Sequence, residues 1–285
     1  MRSRILSTLL LWTVVGASLT FFGVHAAVIL ITLLAALTLH EFYALTEKMG
    51  ARPFRWLGLL FCVLMVASPY YATVYLFGGD ELPDLVPGLL AVAVVLFSTC
   101  ILFARDNTNR IESLVATLIG LLYVPFMLHY LVRLLLLNTE PTDGLALALW
   151  VVFVSKFCDV GALLTGLAFG RHKMAPNISP KKTWEGAVGG VLTSAGIGAG
   201  IVYFLPEYFP ESLIPAVAAP IGALLALTTI VSDLIESAMK RRADIKDTGT
   251  LIPGIGGAFD LTDSLILTAP VAYFAFLLLA NFSGS

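Results

Sequence analysis

The residues able to do chemistry in this 285-residue chain fall in three clusters, all in its second half. The largest runs from Ser232 to Ser264. Asp233, Glu236 and Lys240 are three and four residues apart, which places them on one face of a helix. Asp260, Asp263 and Ser264 form a second group at the start of the next apolar stretch, and Lys246, Asp247 and the turn Pro253-Gly254-Ile255-Gly256-Gly257 lie between. Carboxylates at two helix ends, brought together across a loop, are the hard oxygen donors that Mg²⁺ takes alongside substrate phosphates. Glycines let a backbone approach a phosphate closely.

The second cluster is Asn177-Ile-Ser-Pro-Lys-Lys-Thr-Trp-Glu-Gly186. Lys181 and Lys182 supply charge, Ser179 and Thr183 supply hydroxyls, and the segment precedes a helix whose first N–H groups can donate to an anion. The same residues also suit a basic loop resting against anionic headgroups. The third cluster is Ser155-Lys156-Phe157-Cys158-Asp159, inside an apolar stretch. Lys156 and Asp159 share a helix face. Either they neutralise one another, or Asp159 lines a polar cavity.

The elements that position these clusters are membrane helices. The chain is 58% hydrophobic and only 13% charged, with a mean hydropathy of +0.91; a soluble domain is about 25% charged. A bilayer core needs about 20 apolar residues in a helix. Stretches near 5–22, 25–44, 56–77, 85–104, 113–137, 145–169, 186–205, 213–234 and 260–281 meet that length. The expected fold is therefore all-α, a polytopic transmembrane bundle of about nine spans. The first stretch follows Arg2 and Arg4, but no small-residue cleavage site comes after it, so it is read as a retained helix rather than a signal peptide. Cys62, Cys100 and Cys158 stand in separate apolar stretches and form no metal-binding spacing.

With the N-terminus in the cytoplasm, every basic residue except Arg133 and Lys156 falls on the cytoplasmic side, Arg105 among them. The opposite loops carry Asp80, Glu81, Asp84, Glu140, Asp143, Glu207 and Glu211. That sorting follows the positive-inside rule, and removing one helix would invert every later loop. Residues 1–140 read as scaffold helices, a lipid contact or dimer surface, with His40 and Glu41 at the membrane interface; residues 141–285 read as the catalytic region.

The segment from Ser237 to Asp263 resembles the signature of the phosphatidate cytidylyltransferases, the CDP-diacylglycerol synthases. Ser237, Lys240, Arg241, Lys246, Asp247, Pro253, Gly254, Gly256, Gly257, Asp260 and Asp263 stand in the places of that pattern. The run Ser-Pro-Lys-Lys-Thr-Trp-Glu-Gly at 179–186 and Asp159-Val-Gly-Ala162 also look like the family's. The match covers about residues 155–270. It implies transfer of a cytidylyl group from CTP to phosphatidate, with Mg²⁺ and room for a second metal ion, in a bacterial cell membrane with the site facing the cytoplasm. By the resemblance, Asp233 and Asp260 would be metal ligands, and Asp263 and Asp247 nearby ligands or groups that support them. Lys181, Lys182, Lys240, Arg241 and Lys246 would hold phosphates, and Gly256 and Gly257 would line the nucleotide loop. Partners would be CTP, the lipid phosphate, the bilayer and a second copy in a homodimer, with no nucleic acid.

Two positions depart from the pattern: Ile255 replaces a histidine and Leu261 an arginine. They leave open a related nucleotidyltransferase acting on another lipid phosphate, and a catalytically silent lipid-binding paralogue. A transporter would spread polar residues through the membrane depth, whereas here they gather at one face. The orientation has a direct check. Single cysteines introduced at Lys173 and at Glu207 are expected to label from opposite sides of the membrane; labelling of both from one side rejects the arrangement.

Overall fold

A computed structural model describes residues 2–76, 85–103, 109–137, 141–249 and 256–283. Arg105, Asp80, Glu81, Asp84, Glu140 and the turn residues Pro253, Gly254 and Ile255 lie outside the described residues. The described chain is helical apart from one small hairpin. In order come α1 (Arg2–Lys48), α2 (Arg55–Tyr71), α3 (Leu85–Phe103), α4 (Arg110–Tyr123), α5 (Pro125–Leu135) and α6 (Pro141–Phe169). The hairpin β1 (Lys173–Ala175) and β2 (Ser179–Thr183) follows, then α7 (Trp184–Phe204), α8 (Pro215–Arg242), α9 (Ala258–Ile266) and α10 (Thr268–Ser283).

Among the described residues, eight helical segments are long and apolar enough to cross a membrane, where the hydropathy pattern predicts nine. The difference lies in the first two stretches, which run on as α1. A straight helix of 47 residues would be about 70 Å long, more than twice a bilayer core. Gly23 interrupts it with φ 54° and ψ −134°, a conformation open to glycine, so α1 is two membrane-length pieces meeting at one residue. Elsewhere proline divides single spans. Pro125 starts α5 just after α4 ends, and Pro270 offers no N–H to the Ile266 carbonyl where α9 gives way to α10.

The chain forms two compact units. The first holds Met1–Arg133 with Arg242–Thr262, and the second Leu134–Arg241 with Asp263–Ser285. The segment before α9 thus joins the N-terminal helices, which a division in chain order near residue 140 does not anticipate. In the first unit α1 packs on α2 and α4 around Tyr43, which is fully buried and donates its hydroxyl to the Thr117 carbonyl at 3.1 Å. Gly58 and Gly120 make room for that ring, since a Cβ at Gly58 would lie 2.7 Å from Tyr43 Cε2.

In the second unit α6 and α7 form the closest helix pair. Lipid tails are as apolar as leucine, so such helices associate through small residues and interhelical hydrogen bonds. Both are present. Gly190 lies under the Cys158 carbonyl and Gly198 under the Trp150 ring. Trp150 Nε1 donates to the Gly198 carbonyl at 3.0 Å, and Ser194 Oγ donates to the Val154 carbonyl at 2.9 Å. Replacing Gly198 with leucine places side-chain atoms against the buried Trp150 ring. It is expected to destabilise the protein in detergent by about 1–3 kcal/mol, read as a lower unfolding midpoint.

Candidate active site

In the second unit α8 presents Asp233 and Glu236, and α9 presents Asp263, so that one oxygen from each lies within 4.8 Å of the others. Glu236 is fully buried. Each acid is matched by a lysine from a different place in the chain. Lys182 of β2 pairs with Asp233. Lys240, one turn along α8, lies 2.7 Å from Glu236 Oε1. Lys156 of α6 lies 3.8 Å from Asp263 Oδ1 and donates to Ser264 Oγ at 2.7 Å. A lone lysine or aspartate at the centre of a membrane helix costs about 2.5–3.5 kcal/mol, so six charges in this region are tolerable only as a mutually compensating set. Hydroxyls complete the mesh. Ser232 Oγ donates to the Asp263 carbonyl, Thr268 Oγ1 to the Ser264 carbonyl at 2.6 Å, and Ser237 Oγ approaches Asp233 Oδ1 at 3.5 Å.

Three converging carboxylates are a donor set of the kind hard divalent cations take. Octahedral Mg²⁺ at about 2.1 Å from each ligand would place opposite oxygens about 4.2 Å apart. The 4.8 Å spread is within a small side-chain adjustment of that. Of the acids expected to bind metal, Asp233 and Asp263 are in this group and Glu236 is the third; Asp260 belongs to the other unit.

Beside the cluster, within the same unit, is a cavity of about 560 Å³. Its polar lining includes Asp159, Lys173, Lys181, Lys182 and Asp233, and its apolar lining Ala162, Leu163, Leu167 and Ile230. Asp159 therefore faces a cavity, the second of the two readings, while Lys156 on the same helix reaches Asp263 and Ser264. The hairpin supplies the basic rim. Trp184 donates its N–H to the His172 carbonyl at 2.9 Å. Glu185 accepts from the Arg171 and His172 N–H groups at 3.1 and 3.2 Å and from His172 Nδ1 at 2.6 Å. Thr183 is buried and caps α7 by accepting from Gly186 N–H at 3.1 Å, so its hydroxyl is committed to the cap. Ser179 is half-buried at the start of β2, and Arg241, exposed on α8, donates Nε to the Ile178 carbonyl at 3.3 Å.

The first unit holds the remaining expected residues. Lys246 and Asp247 are exposed on the segment after α8. Asp260 Oδ2 accepts from Gly257 N–H at 2.8 Å and from the Thr248 hydroxyl and N–H at 3.2 and 3.4 Å. This is the reaching-back half of a capping box, in which the third helical residue satisfies the N–H of the cap position. Gly256 has φ +127°, and a Cβ there would meet the Asp260 side chain. A residue the sequence reading leaves at the interface, Glu41 of α1, supplies the rest: it accepts from the N–H groups of Ala258 and Phe259 at 3.0 and 2.9 Å and from Thr248 Oγ1 at 3.0 Å. The signal that could have found Glu41 is an acid inside an apolar helix, a functional marker in its own right. Glu236 carries the same signal on α8.

The chain is similar to known proteins over most of its length. The sequence pattern of the cytidylyltransferase family matches residues 2–279. A phosphatidate cytidylyltransferase of Thermotoga maritima is 32% identical over 251 residues, 86% of this chain and 86% of that one. One from Rickettsia bellii is 39% identical over 166 residues, 57% of this chain and 70% of the relative. One from Mycobacterium bovis is 34% identical over 176 residues, 62% of this chain and 55% of the relative.

The carboxylate cluster makes a prediction independent of turnover. Mg²⁺ at a hundred times its Kd should stabilise the purified protein by about 2.7 kcal/mol, seen as a higher unfolding midpoint. Asp263→Asn and Glu236→Gln should abolish that shift. An unchanged shift in both places the cation elsewhere.

Proposed function

The chain belongs to the cytidylyltransferase family, and we infer from that membership that it transfers the cytidylyl group of CTP to phosphatidate, giving CDP-diacylglycerol and pyrophosphate. It is an integral membrane protein, as a reaction joining a soluble nucleotide to a lipid requires. The observation that carries the reading at the site is the cavity of the second unit, with a lysine rim on an apolar wall beside three carboxylates. A nucleotide alone has no use for the exposed Leu163 and Leu167 in that wall; a lipid phosphate has use for both the wall and the rim.

In the reaction a phosphate oxygen of phosphatidate attacks the α-phosphorus of CTP. The bond from that phosphorus to the bridging oxygen of the β-phosphate breaks, and pyrophosphate leaves. A phosphate monoester is already a competent nucleophile, so no strong base is needed. The barrier comes from bringing two polyanions together, and catalysis is by positioning and charge compensation. Lys173, Lys181 and Lys182 take the lipid phosphate at the cavity rim. Lys240, Arg241 and Lys246 extend the positive charge toward the triphosphate. Asp233, Glu236 and Asp263 would hold Mg²⁺; the family resemblance separately assigns Asp260 as a metal ligand. When bound, the ion neutralises phosphate charge on the attacked and leaving groups. Asp159 is in the cavity wall, and the resemblance assigns Asp247 as a nearby metal ligand or a group that supports one. The distribution of basic residues supports a bacterial cell membrane orientation with the hairpin and the segment after α8 facing the cytoplasm.

Purified protein given labelled CTP and phosphatidate should form CDP-diacylglycerol only when Mg²⁺ is present. Asp233→Asn and Asp260→Asn should each lower kcat by about 10²–10⁴-fold with normal membrane insertion; near-normal turnover in either removes that residue from the ligand set. The departures from the family pattern favour a slower enzyme or one with another preferred acceptor, because Ile255 and Leu261 can neither donate a hydrogen bond nor bind phosphate. Ile255→His combined with Leu261→Arg should therefore raise the rate on phosphatidate. A rate unchanged or lowered by the pair shows that the departures do not weaken the site.

A further inference from the structure

We propose that Glu41, on α1, is a positioning residue for the nucleotide-binding segment: its carboxylate fixes the two flanks of that segment and the helix that carries Asp260. The inference rests on the assignment of Lys246, Gly256 and Gly257 to the nucleotide and of Asp260 to its metal. Four observations carry it, all within the first unit. Gly257 precedes α9 at the position where a serine, threonine or aspartate would ordinarily cap the helix, and it has no side chain to do so. Glu41 supplies the cap from more than 200 residues away, accepting from the first two N–H groups of α9, at Ala258 and Phe259, with a different oxygen on each. A carboxylate at a helix N-terminus also meets the positive end of the helix dipole.

The same carboxylate reaches the other flank. Thr248 Oγ1 lies 3.0 Å from Glu41 Oε2 and 3.2 Å from Asp260 Oδ2, so one hydroxyl bridges the two acids. Finally, the space around Glu41 is kept open by glycine on both flanks. A Cβ at Gly249 would lie 3.0 Å from Glu41 Cδ, and a Cβ at Gly257 would lie 2.7 Å from it. Two glycines, a threonine and two helix N–H groups thus converge on one side chain of a helix that otherwise carries no part of the site. A residue with a merely structural role would need only to satisfy itself. Glu41 is placed to set the geometry of Asp260 and of the backbone next to Lys246 and Asp247.

Glutamine at this position keeps the shape but turns an NH₂ toward N–H donors, so at least one of the three bonds is lost. The test uses the full-length protein in detergent, with two readouts. By hydrogen exchange, Glu41→Gln should speed exchange of the amides at 257–259 by about tenfold or more, leaving the other helices protected. By kinetics, it should lower kcat/KM for CTP by about 10- to 100-fold while the KM for phosphatidate changes less than about twofold, the split that separates positioning from general loosening. Thr248→Val should give a smaller loss of the same kind, and it serves if Glu41→Gln fails to fold. Thr38→Val is the control. Thr38 lies one turn before Glu41 and bonds Thr262 of α9 at 3.0 Å, so its loss loosens the same helix pair without touching the segment. It should lower stability and leave the CTP parameters unchanged.

Unchanged exchange at 257–259 in Glu41→Gln overturns the cap. Faster exchange with an unchanged kcat/KM for CTP overturns the positioning role. An equal CTP-selective loss in Thr38→Val assigns the effect to helix packing and overturns it as well. Absence of CTP turnover in the parent protein refutes the assigned reaction instead, and the exchange measurement still decides the cap.

Discussion

A carboxylate cannot stand alone in a bilayer, and much of this structure follows from that constraint. Water is not there to solvate it, so positive charge or oriented N–H and O–H groups must be brought to it, each costing chain order elsewhere. The second unit solves the problem with lysines drawn from three elements. Lys156 comes from α6, Lys182 from the hairpin and Lys240 from the same helix as its partner. The first unit solves it with backbone. Asp260 and Glu41 accept mainly from the N–H groups around the start of α9 and from one threonine. Close packing of α6 on α7 through Gly190 and Gly198 brings order to the elements that carry the lysine rim.

How far this was legible in the sequence depends on the range of each interaction. Hydropathy over about 20 residues is a local property, and it located the spans. The count turns on one glycine, Gly23, which breaks α1 into two membrane-length pieces. Asp233, Glu236 and Lys240 could be placed on one face because helical spacing is also local. The pairing of Lys156 with Asp263 is not local, and helical spacing alone can set only the nearer Asp159 beside that lysine. The hairpin left no pattern to read. Its strands are three and five residues long and rich in lysine, so neither apolar alternation nor β-propensity marks them.

The glycines show how a correct residue can be read for an incomplete reason. Spacing and composition suggested that Gly256 and Gly257 let a backbone approach a phosphate. The structure gives both another cause that acts before any ligand arrives. Gly256 adopts a positive φ next to the Asp260 side chain, and Gly257 makes room for the Glu41 carboxylate. Glu41 carries no motif, because its partners are more than 200 residues away and mostly backbone groups.

The charge balance of the second unit connects folding to chemistry. Three acids and three lysines in contact make a locally neutral set. Neutrality suits a protein that must fold and insert, since any surplus would carry the full membrane cost. It does not suit the binding of a phosphate monoester and a triphosphate, which needs surplus positive charge. A divalent cation joining the carboxylates would convert the first condition into the second. It would also compete with Lys182 for Asp233, leaving that lysine, already in the cavity wall, able to turn to a phosphate. The acids would then serve two purposes: countercharge to the lysines without the ion, and ligands to it when it binds. The membrane cost of an unpaired charge explains why the lysines sit against the carboxylates rather than in open solution. It also explains why Glu236, the most buried of the three acids, has its lysine on its own helix, where the pair can form without any other element in place.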